Sequence, residues 1–161
     1  RMRVGGVEPV RSHVSYLRYV LRHKWYVFLA CRVLRVPLWR AVLHDWDKFL
    51  PGEWGPYVAA FYAPDGSSQY KPTPTFHQAW NAHQKRNRHH WQYWLLTWDH
   101  GGTEVLEMAE TDVREMVADW MGAGRALGKP DTRAWYEANK DKMILHPATR
   151  QLVERLLEAA G

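Results

Sequence analysis

Tyr16, Val20, His23, Val27, Cys31 and Leu34 recur at three-and-four spacing, the pattern of one helix face turned to a core. His23 sits at the centre of that stripe, so an imidazole must go inward with the apolar side chains. Pro9 and Ser12 suit the start of this helix and Pro37 bars its continuation. Leu38 to Phe49 reads as a second helix stopped by Pro51-Gly52, with a short helical turn following through Glu53, Tyr57 and Phe61. Ala63 to Thr75, APDGSSQYKPTPT, is a surface loop. Thr75 caps a long third helix with Phe76, Trp80, His83, Asn87, His90, Trp94 and Trp98 on one face, ended by Gly101-Gly102. A fourth runs from about Thr103 to Met121 with Val105, Met108, Asp112, Met116 and Asp119 along one face. Two shorter helices follow, in TRAWYEANKDKM and PATRQLVERLLEAA. No segment alternates as a strand does, so the expected fold class is all-α.

With 161 residues, 46% of them apolar, the chain can fill one core. A single domain over 1–161 is expected, its core at roughly 12–121 and its C-terminal helices, 131–160, packed on that core. The formal charge is +5 and the pI near 9.4, which favours an anionic partner, a nucleotide, a nucleic acid or another phosphorylated molecule, without choosing among them. A basic surface with no ligand gives the same numbers. Cys31 is the only cysteine, so there is no disulfide framework, and a cytoplasmic location is expected. The most apolar segment, WYVFLACRVL, is broken by Arg32, and RMRVGGVEP carries no apolar signal region, so no membrane partner is expected. The oligomeric state is left open. Ten tryptophans suit the walls of a site that holds polar groups inside a core.

Polar residues on the apolar stripes carry the functional expectation. At about 100° per residue, Asn87 and His90 fall close to His83, whereas His89 points off that line. Asp112 and Asp119 both face inward from the fourth helix. An unpaired buried carboxylate costs several kcal/mol, of order 3 to 5, so each needs a cation or donors. For any one inward histidine, a core residue hydrogen-bonded to a carbonyl is the plainer account. Inward His and Asp side chains on four helices favour something more. His23, His44, Asp45, His83, His90 and Asp119 together would supply imidazole and carboxylate ligands for one or two divalent transition metals (Mn, Fe, Co, Ni or Zn), without the thiolates of a structural zinc site.

The ordered set of His23 in HKWYV, His44-Asp45 ending AVLHD, and Asp119 in MVADW resembles the HD-domain superfamily of metal-dependent phosphohydrolases. The likeness covers roughly Ser12 to Trp120. It implies a compact helical bundle with a metal site between helices, held by His23, His44, Asp45 and Asp119. Lys48 takes the place of the lysine in an HDxxK signature, and His83 with His89-His90 resembles the extra histidines by which some branches hold a second metal. Either His89 or His90 is the ligand. Asp47 replaces the glycine of HDxGK and no GYP follows the paired histidines, so a cyclic-dinucleotide substrate is not implied. HDWDKF, AWNAHQKRNRHHWQYW and EMVADW together also resemble a family of short, uncharacterised bacterial and phage proteins.

The expected function is hydrolysis of a phosphate ester or anhydride, with a nucleotide as the expected substrate. Asp45 binds or bridges metal. Lys48 contacts a phosphate, or else is a solvated lysine at a helix end. Glu53 is a candidate general acid, against a role at the start of the next helix. Asp47 orients a ligand histidine or caps a turn. Lys85, Arg86 and Arg88, with Trp91, Tyr93 and Trp94, offer a nucleic-acid surface or an ordinary solvated face with core tryptophans. Asn139, Lys142 and His146 are candidates for closing the site, and His13, His77 and His100 read as surface residues. Two other functions share these residues: an HD-fold di-iron oxygenase, and a nonenzymatic basic module that binds nucleic acid or protein.

Overall fold

The stripe that begins at Tyr16 belongs to α1, Glu8–Val33, in a computed structural model that describes residues 8–160. The expectation drawn from RMRVGGV lies outside the described residues. After α1 come α2 (Leu38–Leu43), a 3₁₀ turn (Trp46–Phe49), α3 (Pro51–Phe61), α4 (Pro74–Arg86) and a second 3₁₀ turn (Trp91–Trp94). Strands β1 (Leu95–Thr97) and β2 (Thr103–Val105) follow, then α5 (Glu110–Ala126), α6 (Thr132–Asn139), a 3₁₀ turn (Lys140–Lys142) and α7 (Pro147–Ala160). The chain adopts the expected all-α fold, with one two-stranded hairpin as the only sheet among the described residues. No helix among them is long and apolar enough to cross a membrane.

Internal packing divides the chain into two units that alternate along the sequence. The first comprises the described residues to Arg22 together with Asp45–His83; the second comprises His23–His44 and the chain from Gln84.

In the first unit Tyr16 and Val20 of α1 pack with Tyr57, Val58 and Ala60 of α3 and with Phe76 and Ala79 of α4. Phe76 meets Tyr57 and Phe61 edge-on, at 5.2 and 5.3 Å between ring centres. Each such ring stabilises the unit by roughly 1.5–3 kcal/mol through burial. Gly66 is held at φ 86°, and a Cβ there would lie 2.9 Å from Ser15 Oγ and 3.1 Å from the Arg11 carbonyl oxygen. That close approach lets Ser15 Oγ donate to the Gly66 carbonyl at 2.9 Å and ties the 63–73 loop to α1.

In the second unit Val27, Cys31 and Leu34 of α1 pack with Val113, Met116 and Val117 of α5, Tyr136 of α6 and Val153, Leu156 and Leu157 of α7. Gly122 permits the closest approach, since a Cβ there would lie only 2.6 Å from the Val27 backbone nitrogen. His23 precedes Val27 by one turn and Asp119 precedes Gly122 by one turn. The close crossing therefore sets the separation of their side chains.

Four expectations are corrected. The second helix does not continue to Phe49: it ends at Leu43, and Asp45 adopts the left-handed region at φ 53°, which Asp tolerates better than most residues. The third helix does not reach Trp98. It ends at Arg86, because the next residues satisfy other bonds: Trp94 Nε1 donates to the Arg88 carbonyl at 2.8 Å and Lys85 Nζ to the Gln92 carbonyl at 2.7 Å. The absence of strands also fails, for Leu95 pairs with Val105 and Thr97 with Thr103 across a loop in which Gly101 and Gly102 take φ of 92° and 90°. The two glycines marked a turn between strands, and the fourth helix begins later, at Glu110.

Candidate metal centre

In the second unit three imidazoles converge on one carboxylate. His23 comes from α1, His44 from the residue after α2, His89 from the segment after α4 and Asp119 from α5. Asp119 Oδ1 lies 3.2 Å from His23 Nε2 and 3.3 Å from His44 Nε2, and its Oδ2 lies 3.9 Å from His89 Nε2. Glu115, one turn before Asp119, serves the opposite ring nitrogens: its Oε1 is 3.0 Å from His44 Nδ1 and 3.4 Å from His89 Nδ1. Glu115 thus faces Nδ1 of both His44 and His89, while Nε2 of both rings faces Asp119. Arg40 Nε donates to Glu115 Oε2 at 2.7 Å, and its guanidinium also pairs with Asp112. The Lys24 ammonium donates to the His44 carbonyl and anchors the end of α2.

The charges follow from this arrangement. Burial opposes ionisation of Glu115, but hydrogen bonds from His44 and His89 outweigh it and hold the carboxyl well below the usual range. Burial likewise opposes ionisation of Asp119, and hydrogen bonds from His23 and His44 hold it well below. Ligand-capable atoms of His44, His89 and Glu115 lie within 4.8 Å of one another, as do those of His23, His44 and Asp119, so these buried groups could hold a metal ion. The donors are imidazole and carboxylate. Cys31 supplies no competing thiolate, because burial pushes its thiol up to about 12. The Asp119 side chain is 15% exposed, against 3% for His23 and 1% for His44, which leaves it the accessible member of the group.

The first unit repeats the device. His83 is fully buried, with Nε2 3.4 Å from Asp45 Oδ1 and Nδ1 3.1 Å from Asp47 Oδ2 and 3.0 Å from Glu53 Oε2. Burial disfavours the imidazolium, but Asp45, Asp47 and Glu53 overcome it and raise the His83 pKa to about 10. Asp45 Oδ2 takes an ion pair from Lys48, three residues on. Atoms of Asp47, Glu53 and His83 also lie within 4.8 Å of one another.

The expected residues thus fall into two groups: His23, His44, His89 and Asp119 in one unit, Asp45, Lys48, Glu53 and His83 in the other. His90 is only partly buried and lies against His89 with the rings tilted, 4.3 Å between their centres. With α4 ended at Arg86, His83 and His90 share no helix face, and His89, read as off the stripe, is the member of the pair that faces Asp119. Glu53 faces the His83 ring nitrogen and is 2% exposed. Asp112 is taken up by Arg40 and Arg88. Lys85 and Arg86 are exposed, while Trp91 and Trp94 pack against the core. Asn139, Lys142 and His146 make local bonds at helix ends. His13, exposed, accepts from Trp54 Nε1 at 2.8 Å. Glu115 and Arg40 escaped the sequence reading. Glu115 stands on the face shared by Asp112 and Asp119, and the series of acids at 112, 115 and 119 was its signal.

A model of a family of unknown function, DUF5662, matches residues 12–159. No curated protein and no solved structure matches the chain.

Proposed function

The chain belongs to the DUF5662 family, and we propose that it is a metal-dependent phosphohydrolase acting on a nucleotide or another phosphate ester or anhydride. The observation that carries the proposal is the convergence of the Nε2 atoms of His23, His44 and His89 on Asp119, with Nδ1 of His44 and His89 held by Glu115. A ring held through Nδ1 by a carboxylate is oriented and made more basic at Nε2, which is how histidines serve divalent ions. The donor set fits a borderline ion such as Mn²⁺, Fe²⁺, Co²⁺, Ni²⁺ or Zn²⁺. The resemblance to HD-domain enzymes adds Asp45, next in sequence to His44.

A divalent ion held by these residues supplies Lewis acidity toward a phosphoryl oxygen and a water of lowered pKa. The chain's own residues do the rest. Glu115 keeps the His44 and His89 protons on Nδ1, and Arg40 keeps Glu115 ionised and in place. Lys48 brings a positive charge beside Asp45 and meets a phosphate oxygen. Asp47 and Glu53 fix the His83 ring from its Nδ1 side, so Glu53 acts as a positioning residue in place of the general acid expected from sequence.

The test is metal analysis of protein purified without added metal, then a phosphoester and nucleotide panel with Mn²⁺ or Co²⁺. Phosphate release that disappears in His44→Ala and Asp119→Ala, together with the metal, is the expected outcome. Iron content with an absorbance change on exposure to air and no phosphate release would instead establish the oxygenase. Salt-sensitive nucleic-acid binding that survives both substitutions would establish the nonenzymatic module.

A further inference from the structure

Tyr16 and Tyr57 are 1% and 4% exposed, and neither hydroxyl has a hydrogen-bond partner among the described residues. Their rings lie 6.2 Å apart, and Tyr57 meets the His83 ring edge-on at 6.3 Å. A buried hydroxyl without a partner costs free energy that phenylalanine would spare. The same cluster already uses Phe61 and Phe76 where only a ring is needed. The two phenols are therefore donors kept for a group the packing itself does not supply.

The surroundings define that group. Burial, the main influence on both phenols, keeps them protonated, and Lys48, Asp45 and Glu53 are the charges that act on each. Both hydroxyls thus stand in the field of one ammonium and two carboxylates, all within the first unit. A carboxylic acid presents two oxygens, whereas a phosphoryl group presents three, one for each hydroxyl and one for Lys48 Nζ. We infer that Tyr16 and Tyr57 are substrate-binding residues whose hydroxyls donate to the oxygens of a phosphoryl group alongside Lys48, selecting phosphoryl over carboxylate ligands. The substrate class rests on the phosphohydrolase reading; the donor role does not require turnover.

The experiment measures inorganic phosphate and acetate binding by calorimetry to the Mn²⁺-loaded chain, for wild type, Tyr16→Phe, Tyr57→Phe and the double variant. Loss of one hydrogen bond to a charged oxygen corresponds to about 10-fold weaker phosphate binding per substitution. Acetate affinity and metal content are expected to stay level, and the Tm of the phosphate-free chain to hold or rise, because phenylalanine removes a buried hydroxyl without a partner. Phosphate affinity within twofold of wild type in both single variants overturns the inference, as does a wild type that binds no phosphate at millimolar concentration. A Tm drop of several degrees in both single variants also overturns it, because it shows that the hydroxyls have structural partners. Tyr-dependent phosphate binding without hydrolysis of any ester upholds the donor role and rejects the phosphohydrolase.

Discussion

At the scale of single residues, Glu115 decides the chemistry of the second unit. Its Oε1 meets Nδ1 of both His44 and His89, and Arg40 holds its Oε2. Glu115→Gln keeps the shape but removes the charge and leaves a single acceptor oxygen. The tautomers of His44 and His89 are then no longer fixed, and Arg40 faces an amide. Metal affinity should fall by about 10- to 100-fold, measured by competition with a coloured chelator, while helix content by circular dichroism stays unchanged. Affinity equal to wild type would mean that Glu115 only neutralises Arg40. The residue was partly legible: its position between Asp112 and Asp119 puts it on their face, but Met116 fills the same stripe and draws the eye to packing. Arg40 was not legible, because the partnership joins residues 75 apart in sequence. His23, the His44-Asp45 doublet and Asp119 stood out because a charged or polar group on an apolar stripe needs an explanation wherever it occurs.

At the scale of elements, the α1–α5 crossing is the feature on which the His23–Asp119 approach depends. Gly122→Ala would put a Cβ 2.6 Å from the Val27 nitrogen, a backbone atom that cannot swing aside. Overpacking of this kind costs roughly 1–3 kcal/mol, so Tm should fall by several degrees and metal affinity should drop with it. Gly52→Ala in α3 is the control: nothing lies within 4 Å of its added Cβ, and helix propensity favours alanine. If both variants keep wild-type Tm and metal affinity, the tight crossing does not position the site. The elements read correctly from sequence were those whose period is uninterrupted, α1, α6 and α7. The segment after Arg86 was misread because Trp94 and Trp98 keep helical spacing from Trp80 while bonds from Trp94 Nε1 and Lys85 Nζ to distant carbonyls hold the backbone out of a helix. That misreading also placed His90, and not His89, on the face of His83.

At the scale of the whole molecule, the buried acids of both units set the alkaline limit of stability. Burial raises Tyr16 and Tyr57 above the ordinary 10.0 and Cys31 from 9.0 to about 12. Each stays protonated in the folded chain at a pH where the unfolded chain releases its proton. The unfolded state then binds fewer protons than the native state, so stability falls as pH rises. For Cys31 the loss begins near pH 9 and is complete near 12; for the tyrosines it begins near 10. The limiting slope is about 1.4 kcal/mol per pH unit for each group. Urea unfolding of the chelator-treated protein should therefore show a midpoint that already declines from pH 7, where His83, raised to about 10, keeps a proton that the unfolded chain has lost, and that goes on declining beyond 9 as Cys31 and the tyrosines contribute. Cys31→Ser and Tyr57→Phe, by removing one such group each, should make the decline shallower. A midpoint that stays level to pH 11, or a slope that neither substitution changes, would show that these groups ionise as easily in the folded chain as in the unfolded one.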